Sequence, residues 1–328
     1  MDGNVTIRDV AALAGVSPST VSRVLNGNHR QHMTPATRDR VHAAIDALRY
    51  TPLRSARSLR RQRSHVLAVV LPDISNPFFS LLARGVESIA FGTGCSTMIC
   101  NSDHSPTKER HYLEILLAEQ ALGVVYIPTS TPDEEGLKRL ARSGARIVVA
   151  DRVVPGFPSV RADNAGGSRA LAEYVLRCGY RRIAYLAGPA DVSTARERLE
   201  GFRAALDAAG VQPVAIERGP FTCEAGYDLS TKLARSARVD ALVAANDMMA
   251  LGALRAVEDA GLSVPEHVGV AGFDHAPWTT YLRPQLTTVE VPALQIGEVA
   301  AGQLLSEVAE DACLPTRLIE GETCVSRR

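Results

Sequence analysis

From His65 onward, short apolar runs alternate with amphipathic helical segments, and no other feature restricts the fold as strongly. The first runs are HVLAVVLP, STMIC, GVVYIP, ARIVVAD and SVRAD, with helical spacing over Phe78–Phe91, Lys108–Ala121, Asp133–Ser143 and Gly166–Cys178. A second series, RIAYLAG, VAIERG, DALVAAND and VGVAGFD, is interleaved with Thr194–Ala209, Cys223–Arg235 and Met248–Ala260. A last helix is expected over Leu294–Val308. Runs that are apolar on both faces belong inside a sheet covered on both sides, and strand–helix alternation makes that sheet parallel. The expected class is therefore α/β, doubly wound. Two series over about 260 residues point to two similar lobes.

The first 63 residues follow a different pattern. In TIRDVAALAGVSPSTVSRVLNG, apolar Val10, Ala11, Leu13 and Ala14 precede Gly15, and Val16, Val21, Val24 and Leu25 follow it, both sets at helical spacing. Gly15 suits a tight turn with positive φ, Ser17 a helix N-cap, and Pro18 the first helical position. Two short helices around such a turn form the unit whose second helix enters a DNA major groove. That helix shows Ser19, Thr20, Ser22, Arg23 and Asn26 to solvent. Small hydroxyl side chains allow close approach to the groove floor, and arginine can donate twice to guanine O6 and N7. A plain helical hairpin with a solvated polar face is the alternative. A third helix is expected over Thr34–Tyr50, capped by Thr34, opened by Pro35 and apolar along Val41, Ala44, Ile45 and Leu48. It would complete a three-helix headpiece over residues 1–50. The loop of residues 28–33 carries His29, Arg30 and His32, either as phosphate contacts or as a solvated loop.

Residues 51–63, TPLRSARSLRRQR, form a linker in which Leu53, Ala56 and Leu59 recur every third residue among Arg54, Arg57, Arg60 and Arg61. One or two helical turns are too short to hold alone. The segment is either a solvated basic tether or a hinge that folds only on DNA, with arginines on phosphates and a leucine wedged into a base step.

Charge distribution supports the DNA reading. The chain is formally neutral, but residues 1–63 hold 11 Arg, no Lys and 4 acidic residues, 11 − 4 = +7, leaving −7 on the remainder. A basic head on a mildly acidic body suits a polyanionic partner for the head alone. None of the six cysteines has CxxC spacing, which is expected of buried reduced thiols in a cytoplasmic protein without a metal site. The start shows no secretory pattern, and the longest apolar runs are strand-sized, so no membrane span is expected. There is no GxSxG, GxxxxGK[ST], HExxH or strand-linked GxGxxG motif, and the histidines are scattered. A binding protein without cofactor is therefore expected rather than an enzyme.

In open parallel sheets, ligands bind beyond the carboxyl ends of the strands. The residues there are Asp73, Asn76, Phe78 and Phe79, then Asp151 and Arg152, Asp163 and Asn164, Asn246 and Asp247, and Asp274 with Trp278 nearby; Arg196 and Arg198 open a helix. Carboxylates, amides, arginines and aromatic rings together suit a polyhydroxylated or heterocyclic ligand. Each also has a structural alternative: Asp and Asn as helix caps, Phe78 and Phe79 as core.

The motifs TIRDVAALAGVSPSTVSRVLNG, RSARSL, LPDISNPFF, ADRVVP, RADNAGG, STARERLEGFRAAL, AANDMMALGALRA and GVAGFDHAPWTTYLRPQLTTV occur in this order over essentially the whole chain. In this the chain resembles the lactose/galactose repressor family of bacterial transcription regulators. The resemblance implies a two-lobed effector-binding body of periplasmic-binding-protein type over residues 64–328, with an N-lobe over about 64–163 and 292–328 and a C-lobe over about 164–291. It implies a homodimer on a two-fold symmetric operator, with effector binding between the lobes altering DNA affinity in a direction the sequence leaves open. Carried over by motif, Thr6, Ser17, Ser22 and Asn26 would touch phosphates, Ser19 and Arg23 would face bases beside Pro18, and Leu59 would be the minor-groove leucine. Asp73, Asn76, Phe79, Arg198, Asn246 and Asp274 would line the effector cleft, with Trp278 as a stacking wall. The expected effector is a sugar first and a nucleobase or nucleoside second. Two departures stand out: the loop before Thr34 is about two residues longer than usual, and Pro18 cannot hydrogen-bond a base. The absence of a leucine heptad at the tail argues against a zipper-ended tetramer.

Overall fold

The computed structural model describes residues 5–25, 33–50, 64–235, 239–306 and 308–327. Asn26, Arg57, Leu59, the hinge segment and most of the long loop lie outside the described residues. The chain divides into two compact units, Met1–Arg63 and Ser64–Arg328.

In the first unit, α1 (Ile7–Ala14), α2 (Pro18–Leu25) and α3 (Pro35–Ala47) enclose a small core of Val10, Ala11, Ala14, Val21, Val24, Val41 and Ala44. The Asp9 carboxylate accepts from the backbone N–H and the hydroxyl of Thr6 at 2.7 Å each, fixing the start of α1. Gly15 ends that helix at φ 64, ψ 41, a left-handed geometry that suits glycine at a helix C-terminus. The chain can then reverse at once: Ser17 Oγ accepts from Thr20 N–H at 3.2 Å, and Pro18 opens α2. Leu13, part of the apolar spacing of α1, is 57% exposed, because Val10, Ala11 and Ala14 already fill the side facing α2 and α3.

The second unit is built as two wound sheets. β1 (Val66–Leu71), α4 (Pro77–Gly92), β2 (Ser96–Asn101), α5 (Pro106–Ala118), β3 (Gly123–Tyr126), α6 (Glu134–Arg142), β4 (Arg146–Ala150) and β5 (Ser159–Ala162) form the first lobe. The chain then crosses into α7 (Asn164–Arg177), β6 (Ile183–Ala187), α8 (Ser193–Ala208), β7 (Ala215–Arg218), α9 (Cys223–Arg235), β8 (Ala241–Ala244), α10 (Asp247–Asp259) and β9 (Gly269–Ala271). A short 3-10 helix, Pro277–Tyr281, and β10 (Thr288–Glu290) lead to α11 (Ala293–Leu305), β11 (Ala312–Leu314) and β12 (Arg317–Ile319). The sheet orders are β11-β5-β4-β3-β1-β2 and β7-β6-β8-β9, parallel throughout as the apolar runs required. β10 and β12 pair antiparallel, with Val289 opposite Leu318.

The lobe boundary expected near the C-terminus needs correction. Only α11 and β11 return to the first lobe; α11 packs on α4, where a Cβ on Gly297 would lie 2.0 Å from the Leu82 carbonyl oxygen. β12 and the tail lie on the second lobe: Val270 N–H donates to Thr323 O at 3.0 Å, Arg327 N–H donates to Cys178 O at 2.8 Å, and Cys324 is fully buried. These short segments carry too few apolar residues to show a strand period, and their pairing is settled by distant partners. The chain therefore crosses between lobes three times, at residues 162–164, 290–293 and 314–317. No helix among the described residues is long and apolar enough to cross a membrane, and among them no group of three or more His, Cys, Asp or Glu is placed to hold a metal ion.

Candidate functional site

The carboxyl ends of strands from both lobes converge on one narrow cleft. From the first lobe it is lined by Asp73, Asn76, Phe78 and Phe79 after β1, His104 after β2, and Asp151 with Arg152 after β4. From the second lobe come Thr194 and Arg198 on α8, Phe221 after β7, Asn246 after β8, and Asp274 after β9. Trp278 is not among the lining residues: it sits half-buried in the 3-10 helix, because the turn after β9 that brings Asp274 to the cleft carries the following residues past it. Asp163 and Asp247 act elsewhere. Asp163 caps α7 through Gly166 N–H at 2.8 Å, and Asp247 accepts from Thr288 Oγ1 at 2.6 Å and Ala276 N–H at 2.7 Å. Arg196 lies exposed outside the cleft.

Several lining groups have part of their bonding capacity fixed by the fold. The Asn76 side-chain oxygen accepts from Phe78 N–H at 3.0 Å, and that of Asn246 accepts from Met249 N–H at 2.9 Å. Capping and ligand contact are thus compatible at both positions, since a committed oxygen orients the amide NH₂ as a donor. Asp73 Oδ1 accepts from the Ser75 N–H at 2.9 Å and the Ser75 hydroxyl at 2.6 Å, with Oδ2 outside that turn. Phe78 and Phe79 meet edge to face at 5.2 Å and are 5% and 6% exposed, so they serve both core and cleft wall.

Both arginines are buried and already paired. Arg152 donates to the Pro128 and Thr129 carbonyls and lies 3.7 Å from Asp151. Arg198 donates through Nε to Asn164 Oδ1 and through Nη1 to Ala245 O, both at 2.8 Å; Nη1 lies 3.0 Å from Asp274 Oδ1. Its guanidinium rests 4.1 Å from the Phe273 ring centroid, a cation–π contact in a desolvated place. Burial pushes the Asp274 carboxyl up to about 6; Arg198 opposes that rise, and Asp151 adds to it. Burial also raises Asp151 against the pull of Arg152 and Arg198, and raises Asp247 well above the usual range with Asp274 adding to the effect. The His104 imidazole is lowered by burial and by Arg152, with Asp73 and Asp103 opposing, so it is neutral at pH 7. The cleft therefore offers carboxylate acceptors and amide donors around arginines whose charge is matched within the protein.

His104, Thr194 and Phe221 were not legible as cleft residues. His104 and its neighbour Asp103 both adopt positive φ, 56 and 49, in a loop held by Asn101, and no sequence pattern marks that bend. Phe221 is separated from β7 by a Gly–Pro pair, a loop signal that says nothing about direction.

On the headpiece, Thr6, Ser17, Pro18, Ser19 and Arg23 are exposed on α2 or at helix starts, and Ser22 is half-buried. Thr20 is also half-buried rather than solvent-facing, with its hydroxyl 2.9 Å from Ser17 Oγ. Arg23 is exposed and, among the described residues, has no ion-pair partner.

A family model described as bacterial regulatory proteins of the lacI family matches residues 6–53, and one described as periplasmic binding proteins and sugar binding domain of the LacI family matches residues 64–320. The chain is 35% identical over 324 residues to the ribose operon repressor of Bacillus subtilis strain 168, covering 98% of each. Among solved structures it is similar to a lac repressor dimer bound to operator and the anti-inducer ONPF, with TM-score 0.87 and 28% identity over 98% of this chain and 100% of that one. It is also similar to a LacI family transcriptional regulator from Enterococcus faecium with bound ribose, with TM-score 0.74 and 28% identity over 80% of this chain and 100% of that one. Headpiece, two-lobed body and family matches agree along the whole length: the chain belongs to the LacI family and is a DNA-binding transcriptional repressor, not an enzyme.

Proposed function

We propose that this repressor controls genes for uptake or breakdown of a carbohydrate, and that a neutral sugar, with ribose as first candidate, binds in the cleft as effector. The observation that carries this reading is the pairing of Arg152 and Arg198 with protein carbonyls, Asn164 and aspartates. With those charges matched, Asp73 and Asp274 line the cleft as acceptors for sugar hydroxyls, and Asn76 and Asn246 line it as amide donors, the Asn246 NH₂ keeping one N–H beyond its long 3.5 Å bond to the Phe221 carbonyl. Phe78, Phe79 and Phe221 offer apolar surface for the C–H face of a ring. A phosphorylated sugar would bring its charge beside the Asp73 carboxylate, with both cleft arginines already ion-paired. The ribose operon repressor and the ribose-bound regulator among the relatives favour a pentose.

The working unit is a homodimer whose two headpieces occupy successive major grooves of a two-fold symmetric operator. A surface suited to the pairing lies where Phe91, near the end of α4 and 79% exposed, neighbours the edge strand β2 with its 52% exposed Ile99. Apolar side chains this exposed on adjacent elements suit a partner's matching surface. Sugar binding between the lobes shifts their relative angle through the three crossovers, and the linker of residues 51–63 passes the shift to the headpieces.

Isothermal titration of the full chain with D-ribose, ribose 5-phosphate and adenosine tests the reading. Saturable ribose binding with the phosphate at least about tenfold weaker is expected, the penalty of a charge set near the Asp73 carboxylate while both cleft arginines are already ion-paired. Tighter binding of the phosphate than of ribose would contradict the charge argument, and preference for adenosine would replace the sugar by a nucleoside.

A further inference from the structure

Asn164 is the first residue of α7 and lies on the first crossover, two residues beyond the end of β5. It is 1% exposed, and three hydrogen bonds occupy its amide. Its oxygen accepts from Arg198 Nε at 2.8 Å; its nitrogen donates to Glu197 Oε2 at 3.0 Å and to the Ala162 carbonyl at 3.3 Å. A guanidinium on one side and a carboxylate on the other leave only one orientation of the amide. We infer that Asn164 is a positioning residue for the effector site: it locks the plane of Arg198 and ties that arginine to the crossover between the lobes.

The guanidinium is a rigid fork, so anchoring Nε at Asn164 and Nη1 at Ala245 O and Asp274 sets where its remaining N–H groups point. The other end of the chain of contacts reaches the first lobe. Ala162 closes β5, and Glu197, half-buried and raised by that burial, also feels the charges of Arg161 on β5 and Asp151 beyond β4. A ligand that engages Arg198 and Asp274 therefore pulls on an amide whose other bonds lie on the crossover. The role rests on the reading of the cleft as a sugar site, and it assigns affinity control to a residue that does not line the cleft.

The test exploits the polarity of the relay. In Asn164→Asp the new carboxylate still accepts from Arg198 but meets Glu197, and two carboxylates at hydrogen-bonding distance cannot both stay ionised. D-ribose affinity of the full-length dimer, read by calorimetry, is expected to fall about tenfold. In the double variant Asn164→Asp with Glu197→Gln, the new amide donates to the new carboxylate while Arg198 keeps its acceptor. Affinity should return to within about threefold of wild type. Equal losses in single and double variants, or no loss in the single one, overturn the inference, because a space-filling role predicts no rescue. Should the single variant not fold, Asn164→Ser, too short to span Arg198 and Glu197, releases both without adding charge and carries the same expected tenfold loss; unchanged affinity there overturns the inference as well. Wild-type protein that binds neither D-ribose nor another neutral sugar refutes the sugar reading and this inference together, whereas sugar-binding wild type with unaffected variants refutes the inference alone.

Discussion

Replacing Asp274 by Asn separates what this residue does for the ligand from what it does to the fold. Its carboxyl ionises at about 6 in the folded chain against an ordinary 3.8, chiefly because burial penalises the charge more than Arg198 offsets it. Between those two pH values the folded state holds the extra proton, so stability falls as pH rises through the window. Above pH 6 the whole penalty applies, and at 1.36 kcal/mol per pH unit the difference of 2.2 corresponds to ~3 kcal/mol. Asn resembles the protonated acid in shape, keeps an oxygen for Arg198, and accepts the positive φ of 110 at this position as readily as Asp. Asp247, raised partly by Asp274, relaxes in the same direction. The variant should therefore be more stable than wild type by ~3 kcal/mol at pH 7.5, with the gain shrinking as pH falls from 6 and vanishing below about 3.8. Ribose affinity should drop roughly ten- to hundredfold with loss of a charged acceptor. Urea denaturation across pH 4 to 8 measures the first effect and calorimetry the second. Lower stability of the variant at pH 7.5, or a gain that does not change with pH, would refute the linkage reasoning.

Other perturbations have equally specific outcomes. Arg23→Ala should abolish sequence preference while leaving weak salt-dependent DNA binding, as read by fluorescence anisotropy on cognate and scrambled duplexes; unchanged preference would remove Arg23 from base readout. Gly297→Ala places a methyl 2.0 Å from the Leu82 oxygen, so α11 and α4 must separate, and a loss of about 3 kcal/mol is expected in urea denaturation. Phe91→Glu should convert the dimer to monomer by analytical ultracentrifugation and weaken operator binding; a fully dimeric variant would move the interface elsewhere.

Much of this molecule is written locally. Gly15 between two apolar sets, Ser17 before Pro18, and strand runs such as VLAVVL bounded by Pro72 each encode their element within a few residues, and the structure forms them in place. The cleft was half legible for the same reason: Asp73, Asn76, Arg152, Asn246 and Asp274 follow strand ends, where wound sheets collect ligands. What sequence could not supply was long-range. His104 reaches the cleft only through a left-handed bend, Trp278 misses it although it is four residues from Asp274, and the tail from Arg317 onward joins the second lobe because β12 finds β10. Asn164 read as one of several strand-end polar residues. Its bond to Arg198, 34 positions away, belongs to the packing of α7 on α8 and has no local signature.

If one chain joins sugar recognition to operator affinity, a single titration reads the link. Full-length protein is titrated against a two-fold symmetric duplex obtained by selection from random DNA, with and without saturating D-ribose, at several salt concentrations. Dimeric binding with a steep salt dependence is expected, with an operator affinity that ribose changes at least about tenfold, the weaker end of usual allosteric couplings. A rise would make the sugar a corepressor and a fall an inducer. An operator affinity that neither ribose nor any other neutral sugar alters would contradict the account.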